Sequence, residues 1–395
     1  MNRIIGPVVA AAFALGSNGV YGQDIKIAHI YGKTGALEAY GKQTQTGLMM
    51  GLEYATGGKM EILGRKLVVI EKDDQIKPDI AKSALATAFG DDKADIAVGP
   101  TSSASALAML PVAEEYKKIL LVEPAVADSI TGEKWNKYIF RTARNSTQDA
   151  VAAAVATPQN AQIAMLAQDY AFGRDGVKAL KEALAAVGSK ATVVHEEYVP
   201  QATTDFTAPA QRMFDALKDK SGTKIIGIIW AGPHPLAKIA DLKPERYGIQ
   251  LAPGGNILPV MRGWKQFAGI EGAVYYYHGF PKNKVNDWLV TEHKKRFGGQ
   301  VPDFFTAGGM AAGIAVVEAI KKAGSTDTEK LIAAMEGLSF ESPKGTMTFR
   351  KEDHQAMQPM YHFRIKKTQA DDSDLLELVR EIPAKEIPVP VRNKR

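Results

Sequence analysis

From Asp24 onward the chain alternates short apolar runs of strand length with segments of helical period, and it does so in two successive sets. That pattern constrains the fold more than any other feature. Strands separated by helices imply a parallel sheet with helices on both faces. In the first set, residues 26–30, 66–70, 95–98 and 118–122 read as strands. Tyr40, Leu48, Leu52 and Ala55 recur at helical spacing between the first two, and Pro78 opens a helix through Ala88. In the second set, residues 163–166, 225–230 and 273–277 read as strands, and 173–187 and 235–242 as helices. The expectation is an α/β protein with two Rossmann-like lobes and parallel central sheets. Arg141, Thr142, Ala143 and Arg144 join the sets with no Pro/Gly/Ser-rich spacer. A helix over 306–323 follows, whose Gly308, Gly309 and Gly313 predict close packing, and 345–349 and 361–365 read as late strands.

The N-terminus adds a location. Arg3 precedes an uncharged stretch from Ile4 to Leu15, and Val20 and Gly22 offer small residues before a cut after Gln23. This is the plan of a secretory signal over residues 1–23. No later segment reads as long and apolar enough to cross a membrane. There is no cysteine, hence no site for a lipid anchor on the mature N-terminus and no disulfide. The expected location is the periplasm, in soluble form. Net charge is +5, and +4 once residues 1–23 and their single Arg3 are removed. So small an excess is no nucleic-acid signature, and the basic tail 385–395, with its prolines, reads as a solvated end.

Catalytic patterns are missing. The sequence has no Gly-x-Gly-x-x-Gly after a strand, no phosphate-binding P-loop, no His-Glu-x-x-His and no Gly-x-Ser-x-Gly. Its seven histidines are scattered without metal-ligand spacing. Asp73 and Asp74 are adjacent, which suits a turn better than acid–base work. No catalytic residue, metal or cofactor is expected.

Four motifs carry a family likeness: "GALEAYGKQTQTG" at 35–47, "GPTSSASALAMLP" at 99–111, "KILLVEPAVADSIT" at 118–131 and "QDYAFGRDG" at 168–176. "FRTARNSTQD", from Phe140, lies where a crossover between lobes would fall. In order and spacing, over the whole mature chain, the sequence resembles the periplasmic binding proteins of the branched-chain amino-acid ABC transporters. The resemblance implies the type 1 periplasmic binding fold, with two lobes joined by a three-strand hinge and ligand in the cleft. Lobe one would span 24–143 plus 279–350, and lobe two 144–278 plus 351–395. It implies a monomer that delivers ligand to ABC permease transmembrane subunits.

Ligands of open α/β sheets bind beyond the carboxyl ends of strands. That rule places Ser102 and Ser103 in the cleft, where two hydroxyls at a helix start suit a ligand carboxylate; the plain alternative is an N-cap. By resemblance, Ser103 matches the carboxylate-contacting serine, and Tyr40 and Phe172 match contact positions. Amino-acid binders of the family hold the ammonium with a Thr after Pro-Ala-Ala and a Glu in lobe two. Here Pro124, Ala125 and Val126 lead to Ala127 in place of that Thr, and Ala252-Pro253-Gly254-Gly255 has no acid. Glu123 sits on the wrong side of Pro124 to substitute. An ammonium buried without an acceptor is costly, so the expected ligand is a small carboxylate without one. Trp230, Tyr277 (on one strand face with Tyr275) and Phe305 would supply aromatic walls, with core packing as the alternative for each ring. His234 and His278 would donate to a ligand oxygen or else bond locally, and Arg144 would grip a carboxylate or else form a solvated or inter-lobe salt bridge. The ligand class expected is an aromatic or apolar acid, hydroxycinnamate- or benzoate-like. A branched-chain or aromatic amino acid, a sensor subunit and an exported enzyme stand as alternatives.

Overall fold

A computed structural model describes residues 23–253 and 257–394. The secretory signal and the Gly254-Gly255 pair therefore lie outside the described residues, apart from Gln23. The first set of elements comprises β1 (Ile25–Tyr31), α1 (Glu38–Ala55), β2 (Glu61–Ile62), β3 (Arg65–Asp73) and α2 (Pro78–Gly90). It continues with β4 (Ile96–Val98), α3 (Ser103–Tyr116), β5 (Leu120–Val122) and β6 (Ile139–Arg141). These strands form one sheet in the order β2-β3-β1-β4-β5-β6. Only β2 runs antiparallel, as a hairpin with β3.

The second set comprises α4 (Ser146–Ala156), β7 (Gln162–Gln168), α5 (Ala171–Ala186), β8 (Thr192–Val199) and α6 (Thr207–Leu217). Then come β9 (Lys224–Ile229), α7 (Leu236–Asp241), β10 (Ile249–Leu251), α8 (Leu258–Met261) and β11 (Glu271–Val274). A parallel sheet of order β10-β9-β7-β8 is its centre. The chain then supplies α9 (Lys284–Arg296), α10 (Phe304–Ala323), α11 (Thr328–Met335), β12 (Ser339–Ser342), β13 (Gly345–Phe349) and β14 (Ala356–Met357). It ends with β15 (Met360–Ile365) and β16 (Leu376–Ile382). Two small antiparallel sheets, β11-β15-β16 and β12-β13-β14, extend the parallel pair. Short connections join β12 to β13 to β14 and β15 to β16, whereas β11 meets β15 only after the chain has passed through α9–α11 and β12–β14.

Three sequence expectations need correction. The strand expected over 273–277 is β11, which stops at Val274. Tyr275, Tyr276 and Tyr277 are all buried in succession, which no half-buried strand permits. The tail is only in part a solvated end: Lys385, Glu386, Val391 and Lys394 are exposed, but Ile387 and Val389 are buried and Val389 O accepts from Arg350 Nη1 at 2.6 Å. And α10 is long and apolar enough to cross a membrane. It is a core helix instead, with residues from Phe304 to Ile320 buried almost without interruption.

The reason lies in α1. A Cβ on Gly309 would strike Thr44 O, and one on Gly313 would strike Leu48 O. Reciprocally, Cβ atoms on Gly47 and Gly51 would strike Thr306 O and Met310 O. Backbones this close require glycine on both helices. The pair fixes Tyr40 and Phe305, which begin the two helices, ring to ring at 4.4 Å. Gly309→Ala should therefore lower stability by about 1–3 kcal/mol or more. Thermal or urea unfolding would show this, and an unchanged midpoint would contradict the packing.

Candidate functional site

Loops from the carboxyl ends of β1, β4, β5, β7 and β9 converge between the two central sheets. After β4, Thr101 Oγ1 accepts from Gly32 N at 3.0 Å, and Ser102 Oγ caps α3 by accepting from Ala104 N at 3.2 Å. Ser103 Oγ accepts from Val126 N and Ala127 N, both at 3.2 Å. One hydroxyl thus fixes the loop after β5 against the loop after β4, and its proton is left to donate.

Arg144 follows β6. Its side chain is 5% exposed, and Nε pairs with Asp149 at 3.1 Å. Among the described residues its Nη1 and Nη2 make no hydrogen bond. Its guanidinium carbon is 4.8 Å from the Phe304 ring centre, 5.5 Å from Tyr275 and 6.0 Å from Phe305. Aromatic faces suit a guanidinium withdrawn from water.

From the second sheet come Tyr170, Phe172, Trp230 and Ala231. The Gln168 amide clamps Ala231 in both directions, donating to its carbonyl and accepting from its N–H, each at 3.0 Å. Trp230 packs edge-on against Phe206 at 5.3 Å. Tyr40 OH accepts from Gly232 N at 3.1 Å, so a helix of one lobe touches a loop of the other.

These groups enclose a cavity of about 40 Å³. Eight of the expected residues line it: Tyr40, Ser103, Pro124, Ala125, Arg144, Phe172, Trp230 and Phe305. Leu37, Thr101, Val126, Tyr170 and Ala231 line it as well and were not expected. Tyr170 was legible, since it lies two residues from Phe172 in the "QDYAFG" turn; Leu37 carries no such signal.

Four expected residues fall outside the lining. Ser102 is spent on its cap, and Ala127 is buried behind Ser103, its carbonyl accepting from Arg141 Nη1 at 2.7 Å. His234 folds back, its Nδ1 accepting from Leu236 N at 3.2 Å, and burial lowers its pKa to about 4. That ring is neutral at pH 7. Tyr277 is turned away from the cavity, its hydroxyl bonding Ser373 O and accepting from Leu375 N at 2.8 Å.

The charge content of the lining is simple. Among the described residues it holds one charged side chain, Arg144, and no carboxylate. Glu123 is not an exception. It is buried outside the lining, accepts from Thr142 Oγ1 at 3.0 Å, and abuts Gly308 of α10.

A two-lobed α/β protein with a cavity between the carboxyl ends of its sheets is built as a solute-binding protein. Residues 24–371 match the model of the family described as periplasmic binding protein, and the chain belongs to that family. It is 65% identical to an ABC-type branched-chain amino acid transporter protein of Rhodopseudomonas palustris CGA009, a crystal structure. The match covers 94% of this chain and 100% of that one, with a TM-score of 0.82. It is 28% identical to a solute-binding protein of an ABC transporter from Rhodopseudomonas palustris BisB5, solved with 3,4-dihydroxybenzoic acid. That match covers 91% and 98% of the two chains, with a TM-score of 0.77. A Leu/Ile/Val-binding protein homolog of Brucella melitensis is 24% identical over 92% of both chains.

Burial raises the Glu123 carboxyl from 4.5 to about 7, against the opposing pull of Thr142, Arg144, Lys344 and Arg141. A carboxyl raised on folding adds stability that is full below its unfolded value and is lost as pH rises through the folded one. Glu123→Gln, of equal size, removes that dependence. The melting temperature of wild type relative to the variant should therefore fall between about pH 5 and about pH 8. Parallel curves would contradict it.

Proposed function

We propose that this protein is the extracytoplasmic solute-binding protein of an ABC importer and closes on a small carboxylate with an aromatic or otherwise apolar body. One observation carries the ligand class: the described lining offers a single cation and no acid. A carboxylate gains two charge-assisted bonds from the Arg144 Nη groups, with the Ser103 proton as a third donor. An α-ammonium would find no anionic partner among the described lining residues. Tyr40, Phe172, Trp230 and Phe305 give a flat, apolar enclosure that suits a ring. The relative solved with 3,4-dihydroxybenzoic acid supports the same class.

Reception and delivery follow from the hinge. At about 40 Å³ the cavity is far below the several hundred of a ligand pocket, so the lobes must part to admit a ring. Ligand contacts from both lobes then favour the closed form, which docks on the permease. In this reading residues 1–23 are a secretory signal, and lobe one is 24–143 plus 279–350. Lobe two is 144–278 plus 351–395, and the mature protein is a periplasmic monomer without a lipid anchor. A second reading, a branched-chain amino acid as ligand, is favoured by the likeness to the branched-chain amino acid transporter protein.

A thermal-shift panel separates the two. Benzoate, 4-hydroxybenzoate, 3,4-dihydroxybenzoate and hydroxycinnamates would be compared with leucine, valine and phenylalanine on protein freed of ligand by unfolding and refolding. A ligand that binds only the native state raises the melting temperature. The acids should raise it and the amino acids should not; the reverse result establishes the second reading. Arg144→Gln should weaken binding of the best acid about 100-fold, read by calorimetry.

A further inference from the structure

Asp303 lies outside the cavity lining, yet its carboxylate gathers N–H groups from both lobes. On one side Oδ1 accepts from Phe304 N at 2.7 Å and Oδ2 from Gln43 Nε2 at 2.9 Å. Gln43 Oε1 in turn accepts from Phe305 N at 3.3 Å, so α1 and α10 are bound together here. On the other side Leu258 N lies 3.1 and 3.0 Å from the two carboxylate oxygens. Leu258 opens α8, and the turn after α8 carries Trp264, stacked on Phe363 of β15 at 5.4 Å. That strand pairs with β11, beyond the second central sheet in the chain. One half-buried acid therefore spans the helices over the first sheet and a helix of the second body.

The donor set fits an ionised carboxylate. Asp303 has only acceptor sites when ionised, and each of the three groups just named is a donor. Burial raises its pKa to about 6, opposed by those N–H groups and by Arg262. Tyr40 and Tyr276 are the other titratable groups within its field. Hydrogen bonds to a charged acceptor are about twice as strong as neutral ones, and this one is partly shielded from competing water.

We propose that Asp303 is a closure latch: its bond with the Leu258 N–H forms when the lobes meet and holds them together whether or not a ligand lies between them. It is a positioning residue, raising affinity by favouring the closed form without touching the ligand. Losing the bond should reduce the closed-to-open ratio about tenfold.

The test needs no knowledge of the ligand. The chain has no cysteine, so Lys59→Cys and Lys220→Cys, both exposed and one in each lobe, place two spin labels without background. Leu258→Pro deletes the one donor and leaves the α10 cap intact. Proline suits a first helical position, and Ile257 before it is extended at φ −106° and ψ 148°. Asp303→Asn is the second variant, placing an NH2 among donors. Circular dichroism confirms that each variant is folded. With no ligand added, pulsed electron resonance should show a short inter-lobe distance component in the wild-type background. Both variants should lower the ratio of that short component to the long one about tenfold. A wild-type background without that component, or folded variants that retain it, overturns the latch.

Discussion

A guanidinium buried to 5% exposure and bonded to protein through a single nitrogen is the constraint on which the site depends. Burying an unpaired charge costs several kcal/mol, so Arg144 needs either neutralising groups or an anion. The fold supplies part of the compensation. Asp149 takes Nε, and Phe304, Tyr275 and Phe305 offer ring faces. The forked end makes no hydrogen bond, and the cavity Arg144 lines has no other charge among the described residues. In the function proposed above, an incoming carboxylate would complete a half-made ion pair and so couple binding energy to lobe closure.

The groups behind Arg144 explain how the cation stays in place while the lobes hinge. Thr142 Oγ1 donates to Glu123 Oε2 at 3.0 Å, Gln358 Nε2 donates to Thr142 O at 3.0 Å, and Lys344 Nζ donates to Gln358 Oε1 at 2.8 Å. The Lys344 amine lies 3.6 Å over the Tyr275 ring, and burial holds its pKa well below the usual lysine range. This chain of bonds ties the end of β5 to the passage after β6 and to the passage between β14 and β15. Gln355 Nε2 adds a bond to Ala143 O at 2.8 Å. The hinge is thus a bonded polar layer, consistent with a sequence that has no flexible spacer at 141–144. The neutral Thr142 and Gln358 link the two buried ionisable ends, Glu123 and Lys344, so each polar group in the layer has a hydrogen-bond partner.

Much of the fold could be read from the chain because its signal is periodic. Apolar strands and helical spacing recur from Asp24 to Tyr277, and β1, α1, β3, α2, β7 and β9 fall where they are expected. The rule that ligands sit beyond strand ends pointed to Ser102 and Ser103, of which Ser103 lines the cavity and Ser102 caps α3. What escaped depends on contacts between distant segments. Nothing local says that the tyrosine run 275–277 leaves its strand to fill three different neighbourhoods. Nothing local says that Ile387 and Val389 dock far from their sequence neighbours, or that His234 returns to its own backbone. The glycines of α10 were legible as close packing, but the partner, α1, was not. An apolar helix reads alike whether lipid or protein surrounds it, which is why α10 needed the structure to place it.

The most direct measurement is a crystal structure of the protein with the acid that binds best. The account requires the ligand carboxylate at about 2.7–2.9 Å from the Arg144 Nη atoms, with Ser103 Oγ as a further donor and the ligand body between Tyr40, Phe172, Trp230 and Phe305. A carboxylate seated away from Arg144, or a ligand ammonium held in the cavity, would contradict it.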